Sequence, residues 1–206
     1  IVYLDISASH EGRATLWDLA RATAERLFVP LTIGGGVRTA DDVGKALRAG
    51  ADKVGLNTAA VERPDAIRAA SDRFGAQCVV VSIDAAWDGS AWRVFTKGGR
   101  QPTGLDAVAW AEEAVRRGAG ELLVTSIDRD GVRTGYDLAL TGAIARAVDV
   151  PVIASGGAGT SAHVVEAFTE ADASAALVAG ILHDGVTTVG QLKAAMVAAG
   201  IETRRV

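Results

Sequence analysis

Residues 30–43 read PLTIGGGVRTADDV, and residues 151–164 read PVIASGGAGTSAHV. Each stretch starts with a proline, runs through a short apolar segment, turns through paired glycines and a threonine, and ends in a helical pattern. A proline at the first residue of a strand costs little, because its missing N–H is least needed there. A second pair follows the same order: LDISASHEGR from Leu4 and SIDRDGVRTG from Ser126 each give an apolar strand, an aspartate at its end and a polar loop. Two echoes in one order predict a duplicated and fused half, each half built of β-strand and α-helix units.

Outward from these stretches, short β-branched runs alternate with alanine-rich helical patterns. The expected strands are Ile1–Ile6, Leu31–Ile33, Lys53–Asn57, Cys78–Asp84, Glu121–Asp128, Val152–Ser155 and Ala175–Gly180. The expected helices are Leu16–Leu27, Ala40–Arg48, Pro64–Arg73, Asp106–Arg117, Leu138–Ala147, Ser161–Phe168 and Val189–Ala199. The strands are apolar almost without alternation, as parallel strands covered on both faces are. Gly50, Gly118 and Gly120 follow helices, where a residue with positive φ is wanted. A doubly wound open sheet holds such units, but eight of them close a barrel of about 250 residues. The expected fold class is therefore α/β, a TIM (β/α)8 barrel of the half-barrel-duplication type with strands 2–8 only, in a single domain over residues 1–206. On this expectation a first βα unit precedes Ile1, which opens the chain inside a strand. Trp92–Thr96, followed by Lys97-Gly98-Gly99, predicts a small hairpin after the fourth strand.

Composition excludes several function classes. With 206 residues, 49% of them hydrophobic, the chain can bury one substantial core. A net charge of −4 without a basic stripe argues against nucleic acid as the main partner. The single cysteine, Cys78, rules out an internal disulfide and fits a reducing cytoplasm. No apolar stretch approaches the roughly 20 residues of a membrane span. Three scattered histidines (His10, His163 and His183) show no metal-ligand spacing, so no metal is expected.

In parallel α/β folds, chemistry gathers at the C-terminal ends of strands. Asp5, Asp84 and Asp128 lie there, with Asp130 just beyond. A strand-end carboxylate flanked by apolar residues is partly desolvated, and its pKa shifts toward the range useful for proton transfer. An aspartate in that position also serves as a helix or loop cap; three converging on one mouth favour function. Gly34-Gly35-Gly36 and Gly156-Gly157-Ala158-Gly159 each lead into a helix, where unobstructed backbone N–H groups meet an anion. Asn57-Thr58 ends the strand beside the first group, and Ala179-Gly180 ends the strand beside the second. Two related glycine sites imply a ligand with two phosphates. Gly157-Ala158-Gly159-Thr160-Ser161-Ala162 also satisfies a dinucleotide fingerprint, but the following strand ends without the required carboxylate. Lys53 and Glu121 begin strands and face the opposite end, and Trp87, Trp92 and Phe95 suit either a purine face or a hairpin mini-core.

The motifs LDISAS, IGGGVR, GADKVGLNTAAV, SIDA, TGLDAVAWA, ELLVTSIDRDGVRTGYD and VIASGGAG together resemble the cyclase-subunit family of imidazole glycerol phosphate synthase, a lyase of histidine biosynthesis. The resemblance covers the whole chain. It implies addition of ammonia to a phosphoribulosyl-formimino-AICAR nucleotide, then cleavage and ring closure to imidazole glycerol phosphate and AICAR nucleotide, with no cofactor. It implies Asp84 as one of two catalytic aspartates. The other, in a CLD-type motif ending the family's first strand, has no counterpart here, which predicts an inactive or strongly impaired chain. Asp5, Thr125, Asp130 and Ser155 match polar positions of the active face. Gly35, Gly36, Asn57 and Thr58 match one phosphate site; Gly131, Gly156, Gly157, Ala179 and Gly180 match the other. In this family a glutaminase subunit docks at the bottom of the barrel as a heterodimer and supplies ammonia. Lys53 and Glu121 match the charged ring there, and Asp52 matches a position facing that partner. The phosphoribosylformimino isomerase family of the same pathway shares the half-barrel repeat and ranks second. A non-catalytic phosphate-binding barrel fragment is the reading from another class.

Overall fold

The structure, a computed structural model, describes residues 1–4 and 17–204. Seven parallel strands lie side by side in chain order: β1 (Val2–Leu4), β2 (Thr32–Gly34), β3 (Lys53–Leu56), β4 (Val79–Trp87), β7 (Glu121–Ser126), β8 (Val152–Ser155) and β9 (Ala175–Ala176). The numbers β5 (Trp92–Thr96) and β6 (Gln101–Asp106) belong to an antiparallel excursion from β4. A doubly wound sheet reverses its strand order at a switch point. This order never reverses, so the sheet curls as the wall of a TIM-type barrel does, the coarse architecture expected above.

The helices are α1 (Trp17–Ala24), α2 (Ala40–Arg48), α3 (Thr58–Glu62), α4 (Asp65–Phe74), α5 (Ala107–Arg116), α6 (Leu138–Ala147), α7 (Ser161–Thr169), α8 (Gly180–His183) and α9 (Val189–Ala198). Their starts are written in side chains. Thr39 accepts from Asp42 N, and the Asp42 carboxylate accepts from Thr39 N, closing a capping box on α2. Thr160, its partner in the sequence echo, accepts from His163 N at the start of α7. Asp106 accepts from Val108 N and Ala109 N, both at 3.0 Å, and so caps α5 rather than opening it. Along α5, Ala107, Trp110, Ala111 and Ala114 are buried at i, i+3, i+4 and i+7, a single stripe against the sheet. Ile33, Val54, Ile83 and Leu122 are wholly buried in the same core.

Several boundaries differ from those expected. β4 runs on past Asp84 to Trp87 because Asp84–Trp87 pair antiparallel with Trp92–Phe95. β7 stops at Ser126, whose carbonyl accepts from Arg129 N and Asp130 N and turns the chain. β9 is two residues long instead of extending to Gly180, which begins α8; an alanine-rich run has little preference for strand. Gly50 and Gly118 have the positive φ expected after helices, 102° and 104°. Gly120 does not: a Cβ there overlaps the Ala76 carbonyl oxygen, so this glycine serves a close backbone approach.

Gly120→Ala should therefore destabilise the fold by about 1–3 kcal/mol. That corresponds to a fall in Tm of roughly 2–4 °C per kcal/mol in a chain of this size. Thermal unfolding checks this, and a Tm within a degree of the parent protein would refute the packing argument.

Candidate active site

The echo of the sequence is an echo of geometry. Gly35 and Gly36 take φ of 95° and 72° after β2, and Gly156 and Gly157 take 85° and 106° after β8. L-residues seldom adopt such angles, which is why both turns carry glycine pairs. The backbones around them are also tightly approached. A Cβ on Gly34 would lie 2.7 Å from Leu4 Cδ2, and one on Gly156 would lie 2.8 Å from the Ser126 carbonyl oxygen. Gly135 N donates to Gly157 O at 2.9 Å, tying the loop after β7 to the loop after β8.

Two cavities open at the C-terminal end of the sheet. The first is lined by Gly35, Gly36, Asn57, Thr58, Ser82 and Asp84, among others. The second is lined by Asp130, Gly131, Arg133, Ser155, Gly156 and Gly157, with Ala179 and Gly180 on its far wall. Residues expected at two sites from the sequence thus separate into two cavities. Thr125 lines neither; it lies between Asp84 of β4 and Ser155 of β8 in register, completing a polar row across three strands. Asp5 lies outside the described residues. Lys53, Glu121 and Asp52 lie at the opposite end of the strands. There Lys53 Nζ donates to Glu121 Oε1 as a half-buried ion pair rather than two solvated charges. The exposed Asp52 accepts from Leu31 N at 2.7 Å.

Asp84 stands where β4 leaves the parallel sheet for the hairpin. Asn57 Nδ2 donates to its Oδ2 at 3.2 Å and to the Ser82 carbonyl at 3.1 Å. Burial, reinforced by the negative charge of Asp130, pushes the Asp84 carboxyl up to about 6, and the Asn57 hydrogen bond only partly opposes this. A carboxyl that titrates near neutrality both gives and takes a proton. Asp128, expected beside it, is used structurally: its Oδ2 accepts from Trp87 N at 2.9 Å and pins the hairpin. Trp87 and Trp92 meet edge-on across that hairpin, with centroids 4.9 Å apart, and line neither cavity.

Three contributors escaped the sequence: Ser82, the hairpin tip and Tyr136. Ser82 lies beneath the first cavity. Lys97 N at the tip donates to Thr58 Oγ1 at 2.9 Å, so the tip closes over that cavity, where Gly98 joins the lining. Buried Tyr136 donates its hydroxyl to the Leu177 carbonyl at 2.8 Å, and burial raises its pKa. This bond anchors the Ala179-Gly180 wall to the loop after β7. His163 is half-buried; its Nδ1 accepts from Gly159 N at 3.2 Å. Among the described residues, no group of His, Cys, Asp and Glu is arranged to hold a metal, and no helix is long and apolar enough to cross a membrane.

The raised pKa of Asp84 has a thermodynamic sign. Its folded value lies above the unfolded one, so between about pH 4 and 6 the folded state holds the extra proton, and stability falls as pH rises through that window. Asp84→Asn removes the burial of charge. It should be more stable than the parent protein above about pH 6, by on the order of 2 kcal/mol, with the difference vanishing below about pH 4. Denaturant unfolding at pH 4 and pH 7.5 checks this, and an equal difference at both pH values contradicts it.

The chain is similar to known proteins along nearly its whole length. A family model described as histidine biosynthesis protein matches residues 1–188. An imidazole glycerol phosphate synthase subunit HisF from Myxococcus xanthus is 69% identical over 204 residues, covering 99% of this chain and 81% of the relative. Proteins of the same name from Metallosphaera sedula and Synechocystis are 58% and 57% identical, over 99% of this chain and 81% and 80% of their own lengths. With such identity along nearly its whole length, the chain belongs to the histidine biosynthesis protein family.

Proposed function

We propose that the chain is the cyclase of imidazole glycerol phosphate synthase, a lyase that joins ammonia to a phosphoribulosyl-formimino-AICAR nucleotide and releases imidazole glycerol phosphate and AICAR nucleotide. The observation that carries this reading is the agreement of relatives of that name along 99% of the chain. Two glycine cradles on either side of a polar row fit a substrate with a phosphate at each end. The first holds one phosphate against Gly35, Gly36, Asn57 and Thr58. The second holds the other against Gly131, Gly156, Gly157, Ala179 and Gly180. Backbone N–H groups at the starts of α2 and α7 supply the donors. Asp84, at the first cradle and in register with the polar row, moves protons at the imine and carbonyl formed as ammonia enters and the ring closes. Asn57 keeps its carboxylate aimed while burial keeps its pKa near the working range. Asp130, Thr125 and Ser155 complete the polar face, with Asp5 as a further substrate-binding residue.

The relatives are named as a subunit, and this reading gives the chain a glutaminase partner that supplies ammonia at the opposite end of the barrel. There Asp52 faces that partner, and the Lys53–Glu121 pair guards the way into the interior.

In a protein that also carries the family's first βα unit and its aspartate, Asp84→Asn should lower the rate of AICAR nucleotide formation with ammonium salt by roughly 10²–10⁴-fold. The dissociation constant for the nucleotide, measured calorimetrically without ammonia, should stay within about threefold. A variant as fast as the parent protein would remove Asp84 from the mechanism; a variant that loses binding would make it a binding residue instead.

A further inference from the structure

Both cradles carry a carboxylate in their lining, Asp84 in the first and Asp130 in the second. A phosphate monoester brings about −1.5 to −2 charges near neutral pH. The partial charge at the N-terminus of α7 amounts to roughly +0.5. Among the described residues lining the second cradle one side chain is cationic, Arg133.

Three separate features hold Arg133 in place. Its backbone is left-handed, with φ of 64°, one of three such non-glycine residues described. Its carbonyl lies against Gly159 so closely that a Cβ there would overlap it, which fixes the loop against the start of α7. Its Nη2 donates to Asp184 Oδ2, at the end of α8, as an ion pair that bridges the cavity wall. The guanidinium then lies over Gly180, with Nη2 3.3 Å and Nε 3.8 Å from where a Cβ would stand. A side chain at Gly180 would crowd this group, and its φ is not positive. Asp184 takes one N–H; a guanidinium has five, in a planar fork suited to phosphate oxygens.

We infer that Arg133 is the cationic clamp for the phosphate in the second cradle, and that Asp184 is a positioning residue that holds the guanidinium across Gly180. The inference rests on reading that cradle as a phosphate site. Nothing in the family resemblance assigned either residue, because the match there runs through glycines and backbone.

The test is a calorimetric titration of the chain with the phosphoribulosyl-formimino-AICAR nucleotide, without ammonia, for Arg133→Asn, Arg133→Lys, Asp184→Asn and the double variant. Asparagine tolerates positive φ, so Arg133→Asn removes the charge without straining the turn; thermal unfolding confirms that each variant folds. Arg133→Asn should raise Kd at least tenfold, and Arg133→Lys by less, because lysine keeps the charge but lacks the fork. Asp184→Asn should raise Kd about two- to fivefold alone and not at all in the Arg133→Asn background, since it acts only through the guanidinium. Backbone amide shifts of Gly157 and Ala158 during the same titration report the cradle itself. If those amides move and Arg133→Asn leaves Kd within twofold, the clamp is overturned and the phosphate site stands. If they do not move, the phosphate reading fails and the clamp with it. An equal effect of Asp184→Asn in both backgrounds, or none in either, overturns its positioning role.

Discussion

The candidate site depends on one backbone constraint: after β2 and again after β8 the chain must turn through two successive positive φ angles. At Gly156 and Gly157 the Ser126 carbonyl and Gly135 also press on the turn. The loop after β7 thus cannot be placed independently of the loop after β8. Everything at the second cavity inherits this. The Gly135–Gly157 hydrogen bond, the Tyr136–Leu177 bond and the Arg133 carbonyl against Gly159 are successive tethers along one short segment, residues 133–136. A rigid anion cradle needs its N–H groups aimed before the ligand arrives, and this segment aims them.

At the first cavity the same turn is used differently. The supporting element is the hairpin, not a neighbouring βα loop. β4 continues past Asp84 because Asp84–Trp87 find partners on β5, and Lys97 N at the hairpin tip returns to Thr58. That fold-back is also what limits water around Asp84. An unpaired strand end would leave the carboxyl solvated and its pKa ordinary; covered by the hairpin and facing Asp130, it is raised to about 6. The electrostatics of the carboxyl therefore follow from strand pairing.

Much of this was legible in the sequence where residue type answers a geometric demand. Only glycine suits Gly35, Gly36, Gly156 and Gly157, and threonine at 39 and 160 announces the helix starts, so the two cradles could be read before any coordinates. Contacts between distant segments were not legible. Tyr136 reads as one aromatic in a polar loop, and its hydroxyl finds Leu177 only after folding. Asp128 and Asp84 look alike in sequence, each after an apolar run, and part company because Trp87 N happens to face one of them. β6 was illegible for a local reason: Pro102 and Gly104 contradict a strand pattern, yet both are tolerated because β6 pairs with β5 alone and forms the outer edge of the hairpin.

The repeat also sets a problem that the structure resolves. On the proposed reading, two matched cradles present a bisphosphate with two nearly equivalent orientations, and only one places the reacting carbons at the proper carboxylate. Orientation must come from whatever breaks the equivalence. Near the first cradle that is the Asn57–Asp84 pair, which shares its cavity with Gly35 and Gly36. Near the second it is charge. There Arg133 is the cationic side chain among the described lining residues, and the first cavity's described lining has none. On the proposed reading, the glycines carry the affinity common to both cradles, while Asp84 with Asn57 at one and Arg133 with Asp184 at the other give the mouth its direction.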